Sequence, residues 1–435
     1  MSLSEHQTCL IIGASHGGIS AAFSLRKEGW LGSIILIDSD PTLPYHRPPL
    51  SKAYLTDVNA DQPQVLKAKT AYDKANITLM LGEKVTQLDP EKQIALLANG
   101  VSLRYNKLII STGARPFIPP IKGLDTAQNV FALRTAEDVN QIRTRFNHTE
   151  QKRVVIIGGG YIGLETAASL NKLGGKISVL ERESRLLARV TSPEMSAYFE
   201  QLHLNNGVNI QTSKNVQAIK YSNDEQIVCC EDGSNYPADI ILIGVGVRVN
   251  QELAEQAGID VDKGLIKGIK VTKTCQTNHD DIYAIGDCAY HHNQYYDRWL
   301  RLESVQNAVD QGKVASANIC EKDNTYNALP WFWSDQFDVK LQMVGLAAGY
   351  DNIVIRKELC ERLSKEFSEK LSEQKAAQER FSVWYFKGDR LLAIDAVNHA
   401  KAYVLGTKLL KTHSTLNKAQ LANSQTDLSI EALTR

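Results

Sequence analysis

Apolar residues enter this chain in short runs that end on glycine or on a single acid, and the first run sets the pattern. Cys9 to Ile12 ends in Gly13-Ala14-Ser15-His16-Gly17-Gly18, a helical period follows from Ile19 to Lys27, and a second run from Ser33 to Ile37 closes on Asp38. That order predicts strand, glycine turn, helix and strand. The device recurs at Val154 to Ile157, then Gly158-Gly159-Gly160-Tyr161-Ile162-Gly163, a helix through Leu173, and Ile177 to Leu180 ending on Glu181. Each copy leads into short alternating segments with a hairpin signal, Asn99-Gly100 in the first and Asp232-Gly233 in the second, which predict small antiparallel insertions. The apolar run Ile282 to Ile285 ends in Gly286-Asp287 and precedes a helical stretch from Ser304 to Ile319, so the chain is expected to return to its first domain. From Asn327 onward, aromatic alternating segments such as Phe381 to Phe386 and Leu391 to Ile394 predict a third, sheet-based domain. Beyond Ser414 the chain turns polar, which predicts a mobile tail.

The fold class that follows is α/β, with two Rossmann-type dinucleotide-binding domains plus a C-terminal α+β domain. Residues 1–120 with 251–325 are expected to form the first nucleotide domain, 121–250 the second, 326–414 an interface or dimerisation-like domain, and 415–435 the tail. A length of 435 residues accommodates that number of domains. Lys plus Arg and Asp plus Glu both number 49, and no long run of basic residues occurs, so nucleic acid is not an expected partner. Met1 to Thr8 is short and polar and leads into a strand, the start expected of a cytoplasmic protein without a leader. No uncharged apolar stretch approaches the roughly eighteen residues of a membrane span. The seven cysteines are odd in number and scattered, unlike a secreted disulfide framework, and are expected to be reduced.

Glycine is needed at a dinucleotide turn because the backbone turns tightly, approaches a pyrophosphate and lets the helix pack on the strand, its N-terminus facing the negative charge. Two such turns imply two dinucleotides. Gly13, Ser15, Gly17 and Gly18 are the candidate contacts in the first, and Gly158, Gly160, Ile162 and Gly163 those in the second. An acid follows the last glycine at similar spacing in both, Asp38 and Glu181, as a ribose-binding acid does. Asp40 is a rival for that role, but spacing favours Asp38. Ser15 departs from the motif's middle glycine and puts a side chain beside the pyrophosphate. Glu181 would repel a 2′-phosphate and favours NADH, although the adjacent Arg182 leaves NADPH conceivable.

Further segments carry a resemblance: Pro44-Tyr45-His46-Arg47-Pro48-Pro49-Leu50-Ser51-Lys52, Ser111-Thr112-Gly113-Ala114-Arg115-Pro116, Leu133-Arg134-Thr135, Gly286-Asp287-Cys288-Ala289 and Pro330-Trp331-Phe332-Trp333-Ser334-Asp335-Gln336. With them the chain resembles, to about residue 400, the FAD-dependent, NADH-using reductases that serve ferredoxins or rubredoxins of monooxygenase and dioxygenase systems. The resemblance implies FAD and NADH as cofactors, and a transient [2Fe-2S] ferredoxin or rubredoxin as partner of a monomer or weak homodimer. It places Lys52 beside the flavin, Val85, Thr112, Gly113 and Arg134 at the FAD site, Asp287 on the ribityl chain and Val305 against the ring system. It puts Glu165 and Gly246 near the nicotinamide, and Trp333 where the two rings meet. Two departures stand out. Val249 replaces a usual proline, a change expected to loosen its loop, and residues 356–380 look like an insertion, with Leu359, Leu363, Phe367 and Leu371 on one stripe of an expected amphipathic helix.

The cysteines narrow the chemistry. No CxxC or CxxxxC occurs, which excludes a disulfide relay, and no thiol follows the Lys52 region, unlike single-cysteine relatives that reduce peroxides or persulfides. Cys288, His291 and His292 have a metal-like spacing without a second ligand pair, so no metal is expected. Arg298, Arg301 and Lys313 are candidates to meet an acidic partner. Two other readings use the same cofactors: a reductase of a quinone or ascorbate radical, and a flavin- and NADH-binding regulatory protein.

Overall fold

The computed structural model describes residues 6–57, 59–222, 225–358 and 380–434. The first glycine turn belongs to a parallel sheet ordered Ile282–Ala284, Lys107–Ile110, Thr8–Ile12, Ser33–Asp38, Ile77–Leu81. One face of this sheet packs on helices and the other mainly on small β-strands that carry Val85, Ala95 and Leu97, which is why its strands are apolar throughout: Leu10, Ile11, Leu36, Leu108 and Ile109 are fully buried. Helix His16–Glu28 packs on helix Val305–Ile319 through small residues, so closely that a Cβ on Gly312 would stand 2.9 Å from the Gly17 carbonyl oxygen. Ser316 Oγ donates to the Ala21 carbonyl at 2.9 Å across the same contact. The helix that leaves the first turn and the helix that follows Asp287 are thereby fixed to each other.

The second turn belongs to a parallel sheet ordered Asn209–Gln211, Lys176–Leu180, Arg153–Ile157, Ile240–Ile243, Val130–Ala132. Both hairpin signals lie where expected. Gly100 turns at φ +86° between Ile94–Leu97 and Ser102–Arg104, and Gly233, also at φ +86°, between Glu225–Cys230 and Asn235–Pro237. The third sheet is antiparallel, ordered Trp331–Gln336, Val339–Gly345, Arg390–Val397, Arg380–Lys387, Asn352–Glu358. One face carries helix Ala400–Thr412 over Trp384 and Ile394; the other packs Leu341, Val383 and Tyr385 into a cluster with Leu164, Leu186 and Phe199 of the second unit. The molecule is therefore α/β, two Rossmann-type units and an α+β C-terminal unit.

Three expectations change. The segment beyond Ser414 is not a loose tail: it forms helices Lys418–Ala422 and Ile430–Leu433 and buries Leu416, Leu421, Leu428 and Leu433 against Trp384 and Leu409. Those leucines are spaced too widely for a local period, and the segment is held by Arg356. That buried guanidinium donates to the carbonyls of Leu421, Asn423, Ser424 and Thr426 at 3.4, 3.0, 3.2 and 2.8 Å. The proposed insertion starts later than its composition suggests, because Arg356, Lys357 and Glu358 pair with Ser382, Phe381 and Arg380 in the sheet. The amphipathic helix expected between them lies outside the described residues. The loop at Val249 needs no proline: Val247–Val249 pairs with Ala114–Pro116, and Asn250 Nδ2 donates to the Thr112 carbonyl at 2.8 Å.

Candidate functional site

Both glycine turns leave their strands by the same route. Gly13 and Gly158 sit at φ +103° and +112°, where a Cβ would stand 2.2 Å from Ser111 O and 2.4 Å from Gly244 O respectively. Gly18 and Gly163 seat helix on strand, since a Cβ would stand 1.9 Å from Gly13 O and 2.3 Å from Gly158 O. The middle position is different. Gly160 begins its helix at φ −82° and a Cβ there would meet nothing within 4 Å. Ser15 caps the other helix at φ −90°, a conformation open to any residue, and its Oγ accepts from Arg47 Nε at 3.1 Å. Serine is thus accommodated without strain.

The acids repeat as well. Ala14 N and Asp40 N donate to the Asp38 carboxylate at 2.6 and 2.9 Å; Gly159 N and Glu183 N donate to Glu181 at 2.6 and 2.8 Å. Asp40 turns away, its oxygens taken by Tyr45 OH at 2.7 Å and Thr42 N at 3.0 Å. Asp38 is the acid at the first turn.

The two turns share one cavity of about 1030 Å³. Ser15, Gly17, Lys52, Gly113, Arg134, Asp287 and Val305 line it from the first unit and its neighbours; Gly158, Gly160, Ile162, Glu165, Glu181 and Gly246 line it from the second; Trp333 lines it from the third. Gly13, Gly18, Asp38, Asp40, Val85, Thr112 and Gly163 are not on its wall. Val85 packs in the core with Leu10, Ile37 and Leu97, and Thr112 Oγ1 donates to the Asn250 carbonyl at 2.7 Å.

The first turn fits an anionic nucleotide. His16 is buried, its Nε2 has no hydrogen-bond partner among the described residues, and burial lowers its pKa to about 4, helped by the nearby His46, Arg47 and Arg134. Positive groups and a helix N-terminus converge there, as a diphosphate requires. Arg47 Nη1 donates to the Arg134 carbonyl at 2.5 Å, and Arg134 lies 3.2 Å from Asp287. Arg134 is held by a capping box: Asp138 accepts from Arg134 N and Thr135 N at 2.9 and 2.7 Å, while Thr135 Oγ1 accepts from Asp138 N. Gly286 N donates to Gln311 Oε1 at 2.8 Å and steadies the turn that presents Asp287; Ser304 caps the helix that presents Val305.

Where the three units meet, Lys52 Nζ lies 2.6 Å from Glu165 Oε2. Ser51 Oγ donates to the same oxygen at 2.5 Å and Ser334 Oγ to Oε1 at 2.8 Å. Pro48 and Pro49 preset the short helical turn that carries Ser51 and delivers Lys52, and Ser169 Oγ donates to the Ser51 carbonyl at 2.7 Å. Burying a carboxylate is expensive unless it is paired and hydrogen-bonded, and Glu165 is both. Tyr161, Phe332 and Trp333 supply an aromatic wall beside it, with Tyr161 and Phe332 ring centroids 5.2 Å apart.

Several candidates separate. Cys288 Sγ approaches the carbonyls of Ile110 and Ile285, His291 meets Gln311, and His292 pairs with Asp297, so the three share no centre. Lys313 is paired with Asp310, and Arg301 with Glu303 and the Asp287 carbonyl. Arg298 is exposed, lies over the Tyr296 ring and lines the cavity. Sequence reasoning gave no role to Arg47, Ser51 or Ser334, although all three fall inside the segments that carry the resemblance. It also missed Asp395, whose one signal was a lone acid in the apolar strand Arg390–Val397.

This is the architecture of an oxidoreductase that brings two nucleotides together. The family model described as pyridine nucleotide-disulphide oxidoreductase matches residues 7–312, and one described as reductase C-terminal matches 331–369 and 363–430. The chain belongs to the pyridine nucleotide-disulphide oxidoreductase family. It is 40% identical over 401 residues to putidaredoxin reductase CamA of Pseudomonas putida, covering 91% of this chain and 90% of that one. It is similar to the reductase in a crystal structure of the covalent putidaredoxin reductase–putidaredoxin complex, with a TM-score of 0.87, 38% identity and 98% of each chain covered. It is also similar to the ferredoxin reductase for the CYP199A2 system from Rhodopseudomonas palustris, with a TM-score of 0.89, 35% identity, and 98% of this chain and 100% of that one covered.

Proposed function

We propose that this chain carries electrons from NADH, through FAD, to a small iron–sulfur protein, a [2Fe-2S] ferredoxin or a rubredoxin. The observation that carries the reading is the Lys52–Glu165–Ser334 junction on the wall of a cavity reached by both nucleotide turns, with no thiol at it among the described residues. FAD would be held by the first turn and Asp38, with Arg47, Arg134, Asp287 and Val305 along its length; NADH would be held by the second turn with Glu181 and Gly246. Held there, FAD would supply the conversion between a two-electron hydride donor and a one-electron iron–sulfur acceptor.

The chain's own residues orient and tune that exchange. Lys52 presents a fixed positive charge where negative charge develops on the accepting ring, and Glu165 with Ser334 holds the ammonium in place. Phe332 and Trp333 exclude water. Glu181, already bonded to the turn, accepts ribose hydroxyls and disfavours a 2′-phosphate. Domain limits near 1–120 with 251–325, 121–250 and 326–414 follow the same reading. We take the protein to be cytoplasmic and a monomer or weak homodimer; among the described residues no helix is long and apolar enough to cross a membrane.

Steady-state oxidation of NADH with a [2Fe-2S] ferredoxin, a rubredoxin and a quinone as alternative acceptors tests the reading. A higher kcat/KM for an iron–sulfur protein supports it. A preference for the quinone, or slow turnover with every acceptor, contradicts it.

A further inference from the structure

Asp395 is a carboxyl in the wrong company. It sits in the middle of the third sheet, between Met343 and Val383 on the flanking strands, is fully buried apart from the cavity it lines, and belongs to neither nucleotide turn. Burial raises its pKa to about 6 even though two hydroxyls donate to it. Those donors are Tyr385 OH, from its own sheet, and Thr191 Oγ1, from the second unit, each 2.6 Å from the same oxygen, Oδ2. Tyr385 OH lies 2.9 Å from Thr191 Oγ1 and accepts from Ser192 N at 3.2 Å. Buried polar groups arranged this way hold one geometry at the expense of stability.

What they hold is the segment from Glu181 to Ser192, of which Leu187, Ala188, Arg189 and Val190 line the cavity. The segment is also tied to the second turn, since Leu187 N donates to the Gly159 carbonyl at 3.1 Å. The third sheet grips the other side of that turn too: Tyr161 OH lies 2.9 Å from Met343 Sδ.

We propose that Asp395 and Tyr385 are positioning residues for the nicotinamide nucleotide: by clasping Thr191 and Ser192 they set the loop beside the second turn, so the third domain governs NADH affinity. The proposal rests on NADH binding at that turn.

The test uses the full-length holoprotein with NADH varied at saturating ferredoxin, and FAD content measured for each variant. Thr191→Val keeps the shape and removes the hydroxyl; Thr191→Ser keeps the hydroxyl and removes a methyl. The expected result is a KM for NADH raised about tenfold in Thr191→Val and in Tyr385→Phe, with kcat and FAD content retained, and a KM in Thr191→Ser close to that of the parent, as the loss of one hydrogen bond to a charged group predicts. The double variant should be little worse than either single one. An unchanged KM in Thr191→Val, an equal rise in Thr191→Ser, or loss of FAD in place of a KM effect would overturn the proposal. Failure of NADH to bleach the parent flavin would instead sink the NADH reading itself.

Discussion

Lys52 and Glu165, separated by 113 residues in the chain, meet at 2.6 Å between the first and second units, and Ser334 of the third closes the same carboxylate. The pair does two jobs that mutation can separate. Lys52→Met removes the charge at the proposed site of hydride arrival and leaves Glu165 buried without its partner. Flavin reduction by NADH should slow about 100-fold, and stability should fall by about 3 kcal/mol. Adding Glu165→Gln should restore much of the stability but not the rate. Stopped-flow reduction and thermal melting of the same preparations read the two effects independently.

The two kinds of glycine in the second turn should fail differently. At Gly163 a Cβ would stand 2.3 Å from the Gly158 carbonyl, so Gly163→Ala must push helix off strand and lose folded protein. At Gly160 the protein leaves the space empty. Gly160→Ala should fold, keep its FAD and melt normally, yet bind NADH more weakly because the methyl occupies the room proposed for the pyrophosphate. Equal melting losses in the two variants would contradict this division.

Much of this site was legible because its determinants are local. A glycine turn between strand and helix, closed by an acid, is written within a few dozen residues, so both nucleotide units and Asp38 and Glu181 could be read directly. Lys52, Arg134 and Asp287 came from longer segments whose meaning depended on resemblance. What could not be read was distant. Ser334 reaches Glu165 across 169 residues and Thr191 reaches Asp395 across 204, and no period or spacing encodes such a contact. The packed segment beyond Ser414 was misread for a related reason: its leucines are anchored by Arg356, a cation whose burial no local pattern announces.

Four buried histidines, His16, His203, His291 and His399, weaken the fold in acid, because burial lowers the pKa of each. His291, like His16, is held at about pH 4 by burial, below its ordinary 6.5. The unfolded chain therefore takes up these protons first, and stability falls as pH drops from 6.5 towards 4, by up to about 1.4 kcal/mol per pH unit for each histidine. Asp395, raised to about 6, opposes this between pH 6 and 3.8, because there the folded form binds the extra proton. Four histidines outweigh one carboxyl. The melting temperature should drop between pH 7 and 5, and should drop less in His291→Leu, whatever that variant's absolute stability. An unchanged slope would remove His291 from the account.

Of the three candidates Arg298, Arg301 and Lys313, Arg298 is the one offered to an acidic partner, since among the described residues Lys313 and Arg301 already face carboxylates. Arg298→Glu should raise the KM for ferredoxin several-fold at low ionic strength, and the difference from the parent should shrink as salt screens the encounter. A salt-independent defect would point to damage inside the cavity instead.

The central claim is tested most directly by mixing the purified holoprotein anaerobically with NADH in a stopped-flow instrument, then with an oxidised [2Fe-2S] ferredoxin, and following flavin and iron–sulfur absorbance together. The account predicts rapid bleaching of the flavin by NADH, then reduction of the ferredoxin as the flavin colour returns, at a rate no slower than steady-state turnover. Bleaching without onward transfer to any iron–sulfur protein would contradict the proposed partner, and a flavin that NADH leaves oxidised would contradict the account at its root.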